Sequence, residues 1–179
     1  MKHRPAALVA ALGFLVEAGC AFGHRELSFG GGLYHHLLDA GYAVAMVGCA
    51  LAVVPFALQL SRHRAVGVSA QAARLGFVAM GIESAVSAVH RATELDLLFT
   101  LGIALAVLGS IVLAVAVALT GQPRWAGSVP LVAMVAAAGG GELGASVLSA
   151  AAWVVAATVS PEPAPAPAVR AGSTSGSAA

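Results

Sequence analysis

Charge is what this sequence has least of. Only 9% of its 179 residues are Asp, Glu, Lys or Arg, and only 6% are aromatic. A water-soluble domain carries about 25% charged residues, because its surface must be wetted. A soluble globular domain is therefore excluded. The net charge is +1, and the nine basic residues, one Lys and eight Arg, stand singly or in pairs. No basic stripe exists to track a phosphate backbone, so nucleic acid is not an expected partner. The two cysteines, Cys20 and Cys49, form no CxxC and lie inside apolar runs, where small packing residues are expected. HEXXH, phosphate-loop and dinucleotide patterns are all absent.

What is present is hydrocarbon. Hydrophobic residues make up 59% of the chain, and the mean hydropathy is +0.90. Such a surface can face lipid, which asks for no polar cover. Five apolar runs, about 5–22, 33–60, 68–91, 97–120 and 129–158, approach or exceed the ~20 residues a bilayer-crossing helix needs. The fourth holds no charge at all, and the fifth is interrupted by GGGELG. The links SRHRAVG, RATELD and GQPRWAG are short, which makes consecutive helices antiparallel neighbours. The expected fold is an all-α polytopic transmembrane bundle of five spans over residues 1–159, integral to the cell membrane. The Pro-, Ala-, Gly- and Ser-rich segment 160–179 is expected to be a disordered tail.

Basic residues set the orientation. With the N-terminus in the cytoplasm, that side holds Lys2, Arg4, Arg62, Arg64, Arg74 and Arg124, against Arg25, Arg91 and Arg170 outside. The C-terminus is then expected outside. The first run also has the basic start and small-residue end of a secretory signal, but Glu17 inside its apolar region argues against cleavage.

The few ionisable residues are not scattered. Glu17, Cys20 and His24 share one face of span one at i, i+3 and i+7. Span two opens with His35, His36 and Asp39, and either histidine can share a face with the aspartate, which Tyr42 extends. Span three carries Glu83, Ser87 and His90 on one stripe. Alternating direction brings all of them to the same half of the membrane, with Glu17 and Glu83 deeper and Asp39, His36 and His90 nearer the mouth. An ionisable group in hydrocarbon costs about 2.5–3.5 kcal/mol or more, so these groups are expected to face one another inside the bundle.

Imidazole plus carboxylate is the ligand set of zinc and non-haem iron, and imidazole also suits copper. His36, Asp39, Glu83 and His90 are the expected ligands. Glu17 is the expected base acting on metal-bound water, or a further ligand, in a hydrolase or oxidoreductase centre. Haem b held between His36 and His90 is a weaker alternative. A second functional alternative uses the same residues as a proton relay in a transporter or channel-like protein, continued toward the other face by Glu142 and Arg74. A third is a structural subunit in which Glu83 bonds Ser84 or Ser87. In span five, Gly140 and Gly144 form a GxxxG, and small residues at 137, 141, 145 and 149 form a ridge for packing within the bundle or against a second copy. A helix broken at Glu142 is the other reading of that glycine run.

Overall fold

A computed structural model describes residues 3–27, 32–90, 96–122, 124–138 and 143–158. The described residues form six helices: α1 (Arg4–Leu27), α2 (Gly32–Leu60), α3 (Arg64–His90), α4 (Asp96–Leu119), α5 (Arg124–Ala138) and α6 (Leu143–Thr158). The fold is all-α, as the composition requires. The tail at 160–179 lies outside the described residues.

Local chemistry marks the helix ends. Ser61 Oγ accepts from the His63 backbone N–H at 3.2 Å, and His63 Nδ1 accepts from the Ala65 N–H at 3.3 Å, so polar side chains hold the turn into α3. Asp96 opens α4, where a carboxylate suits the positive end of the helix dipole. Beyond the end of α4, Gly121 takes φ +78°, the left-handed conformation that glycine adopts without a Cβ clash.

Four helices, α1 to α4, are long and apolar enough to cross a membrane. Each runs antiparallel to its predecessor. Gly13 of α1 meets Ala45 of α2, while Gly48 meets Ala10; the partner's number falls as the residue's rises. Gly76 of α3 meets Ala106 of α4 in the same way, and Gly109 meets Ala73. A Cβ added at Gly48 or Gly76 would land on the neighbouring backbone. These contacts are close because the side chain is missing. The end holding His3 and the α2–α3 turn is called basal below, and the opposite end distal.

The helices close a ring. Each packs on the next in sequence, α6 packs on α1, and α2 also reaches α4 and α5 across the middle. Of the most apolar 18-residue windows, 61% of that in α2 is buried but only 33% of that in α4, so α2 is the central post and α4 presents the widest exposed apolar face of the four. Phe14, Met46, Phe56, Phe77, Met80 and Trp153 are the large side chains of the core.

The fifth apolar run departs from the expected single span. It holds two helices of 15 and 16 residues. At 1.5 Å per residue each is only about 23 Å long, short of the ~30 Å hydrocarbon thickness. Ser149 Oγ of α6 donates to the Ala133 carbonyl of α5 at 3.0 Å. In one straight helix those residues would stand about 24 Å apart. The two helices therefore lie side by side as a hairpin, and α6 returns to the basal end, where the Ala156 carbonyl meets His3 Nε2 at 3.1 Å. The end of α6 thus stands beside the start of α1, not on the opposite side as five crossings would place it. The physical reason is that hydropathy has no direction: two short apolar helices and one long helix give the same profile. Residues 139–142, including Gly140 and Glu142, lie outside the described residues; Gly144 is exposed, with nothing within 4 Å of an added Cβ.

Candidate functional site

The antiparallel arrangement brings Glu17 of α1, Gly41 of α2 and Glu83 of α3 to one level of the distal half. An added Cβ on Gly41 would touch the Glu17 backbone N at 3.2 Å, so α1 and α2 are nearly in contact beside the carboxylate.

Glu17 is buried, 4% exposed. Its carboxylate lies within electrostatic reach of the Ser146 hydroxyl at the start of α6, and its Oε2 is buried without a hydrogen-bond partner among the described residues. Cys20, one turn distal, interacts electrostatically with it. Glu83 is half-buried and seated by its own helix: Ser87 Oγ donates to Oε1 at 2.8 Å and Ser84 Oγ to Oε2 at 3.3 Å. That is the local pairing the serines at i+1 and i+4 permit.

Tyr42 of α2 follows Gly41 at the level of the two carboxylates. It interacts electrostatically with both Glu17 and Glu83. Its ring is held edge-on by Phe14 of α1 (6.4 Å, 84°) and tilted against Phe99 of α4 (6.2 Å, 52°). A phenol both donates and accepts, which makes it the natural link between two acids. Nearer the distal mouth, half-buried Asp39 interacts with Glu83, His35 and His36.

The register of the two histidines is resolved. His36 Nδ1 bonds to the Ala88 carbonyl of α3, tying α2 to α3 at the mouth. A carbonyl only accepts, so this bond places the proton on Nδ1. His35 is exposed and lies edge-on to Tyr34 at 5.0 Å; Tyr34 in turn stacks on His24 of α1 at 4.3 Å. His36 faces the bundle, and His35 belongs to an aromatic stack on the rim.

Of the residues nominated from sequence, Glu17 and Glu83 thus come within electrostatic reach of Tyr42, and Asp39 within reach of Glu83 and His36. His90 lies in α3, and its side chain is outside the described residues. Among the described residues no three His, Cys, Asp or Glu side chains converge tightly enough to hold a metal ion. Sequence reasoning noticed Tyr42 only as an extension of the Asp39 face, and missed Ser146. The latter signal was a polar residue four positions after Glu142, beside the ridge read as packing.

The next layer on the basal side of this cluster is dry, built of Phe14, Met46, Phe77, Met80 and Trp153, all essentially unexposed. At the far basal end His3 is buried, tilted against Phe56 at 5.6 Å, with Nδ1 unpartnered among the described residues. Burial, and to a smaller extent the charge of Arg4, pushes the His3 imidazole below its usual range. His3 is therefore a neutral strut closing α1 on α6, and contributes nothing to the distal cluster. No family model, no curated protein and no solved structure matches the chain.

Proposed function

We propose that the chain is a multi-pass integral protein of the cell membrane that takes up protons from its distal side, as the proton site of a proton-coupled carrier. The observation that carries this reading is Tyr42 standing within electrostatic reach of both Glu17 and Glu83, carboxylates contributed by different helices. Asp39 at the mouth, Glu83, Tyr42 and Glu17 form a series in which each neighbour can accept a proton and pass one on. The dry layer below Glu17 favours a carrier over a channel, because a continuous pore needs a wet route through Phe14 and Trp153. Glu142 and Arg74, the residues expected to continue a path, do not extend the described series: Glu142 lies outside the described residues, and Arg74 is exposed on the outer face of α3.

Reconstitution in vesicles with an internal pH dye tests this. Wild-type protein is expected to acidify the lumen under an inward proton gradient, and Glu17→Gln or Glu83→Gln to lose about 99% of that rate or more, as the 10²–10⁴-fold worth of a positioned proton-transfer group requires. Wild-type rates from both carboxamide variants would remove the reading.

One observation favours a second reading. A histidine whose Nδ1 bonds a backbone carbonyl offers Nε2 outward, the posture metal-ligating histidines adopt. Zinc, iron or copper held by His36, Asp39, Glu83 and His90, with Glu17 as base, is the corresponding proposal. Metal analysis of purified protein before and after His36→Ala decides it: no metal above stoichiometric background in wild type ends that reading. Pairing of two copies through Gly140 and Gly144 is proposed alongside either function, and a monomeric mass in mild detergent would end it.

A further inference from the structure

The outer face between α2 and α3 carries two adjoining grooves. The basal one, about 440 Å³, lies between Val54 and Leu58 of α2 and Val68 and Gln71 of α3, with Arg62, His63 and Arg64 at its mouth. The second, about 290 Å³, continues distally between Val47 and Leu51 of α2 and Val78 and Ile82 of α3, with Arg74 along it. Arg62, Arg64 and Arg74 are all exposed. Among the described side chains, the four carboxylates Glu17, Asp39, Glu83 and Asp96 all belong to the distal half, so none of them neutralises this cationic mouth.

We propose that this cleft seats one anionic phospholipid. Its phosphate lies at Arg62 and Arg64, its glycerol esters come within reach of Arg74, and one acyl chain runs through the basal groove into the start of the second, as far as Val78. The spacing fits a lipid. Arg74 is about 15 Å along the axis from Arg64, and helical side chains lean toward their own N-terminus, which carries its guanidinium back toward the basal headgroup level. From Arg64 to Val78 the cleft runs about 21 Å along the axis, room for a headgroup and the ~15 Å of one leaflet's hydrocarbon. Gly67 and Gly81 line the cleft where side chains would narrow it. Free phosphate would satisfy the arginines but leave the apolar groove above them without a role. Basic pockets between membrane helices take anionic headgroups for the same electrostatic reason. The assignment rests on the membrane-spanning reading and is independent of proton uptake.

Native mass spectrometry of detergent-purified protein, loaded with phosphatidylglycerol or phosphatidylcholine, tests it. Wild type is expected to retain one phosphatidylglycerol with at least about fivefold preference, the scale of one interfacial arginine. Arg62→Gln/Arg64→Gln should bring the ratio near one. Val78→Trp, which fills the groove and leaves the arginines, should lower retention of both lipids. Inorganic phosphate should not displace the lipid. Equal retention of the two lipids by wild type, an unchanged preference in the double variant, or displacement by inorganic phosphate would overturn the assignment. Resistance to alkaline extraction from membranes reports integration separately, so its loss would overturn the membrane reading itself.

Discussion

The two ends of the bundle use the same scarce polar residues in opposite ways. At the distal end Glu17, Asp39 and Glu83 are buried or half-buried, Glu17 and Glu83 within electrostatic reach of Tyr42 and Asp39 of Glu83. At the basal end Arg62, Arg64 and Arg74 are exposed on the outer face, and the one buried polar group, His3, is an uncharged strut against α6. The lesson concerns cost. A carboxylate inside a bundle is tolerable when it has partners or a proton to hold, whereas a guanidinium on a long stem can stay outside and reach the headgroups. On the two proposals above, one end titrates within the protein and the other meets the membrane.

The largest expected effect comes from removing the frame both ends share. Gly76→Val places side-chain atoms on the Ala106 backbone, and Gly48→Leu does the same at Ala10. Either should cost at least the 1–3 kcal/mol typical of overpacking and lower the thermal midpoint in detergent, degrading both ends together. A variant that kept its stability would show that α1–α2 and α3–α4 do not approach so closely.

Titration separates the ends next. His3 is held below its unfolded value by burial. The folded state therefore binds fewer protons than the unfolded state as pH falls through the ordinary imidazole range near 6.5. Stability is full above that range and declines from there down toward the lowered folded value. Thermal midpoints taken between pH 7.5 and 5 should fall for wild type and fall less for His3→Phe, a ring of similar size beside Phe56. Equal slopes would mean that the basal strut does not titrate and that the acid sensitivity belongs wholly to the distal end.

The smallest effect is expected inside the distal cluster. Ser87→Ala removes the 2.8 Å bond to Glu83 Oε1 and leaves Ser84 on Oε2. A side-chain hydrogen bond contributes a net ~0.5–1.5 kcal/mol. The expected readout is a modest loss of stability with proton uptake retained. A collapse of uptake in Ser87→Ala would make the serine a relay member in its own right.

Much of this contrast was legible beforehand, for identifiable reasons. Long apolar runs with 9% charge pointed to an all-helical chain, and four of its helices are long and apolar enough to cross a membrane. Alternating helix direction placed Glu17, Asp39 and Glu83 at one end, since that needs only the order of spans. The α5–α6 hairpin was not legible: residues 129–158 are long enough to cross once, and only a contact such as Ser149 to Ala133 reveals the reversal. Nor was the choice between His35 and His36, because neighbours on a helix point about 100° apart and the rotation of α2 is set by packing on α3. Tyr42 was legible only as an extension of the Asp39 face, because its nearness to Glu17 of α1 and Glu83 of α3 depends on how three helices pack. His3 sat in a basic flank that reads as solvated, yet α6 returns to bury it.

The most direct measurement is a double-mutant cycle on proton uptake in vesicles, comparing wild type, Glu17→Gln, Tyr42→Phe and the two combined. One continuous chain through Tyr42 predicts that the double variant is no slower than Glu17→Gln alone. Independent, multiplying losses would contradict it, and would leave Glu17 and Glu83 as separate groups at the same depth.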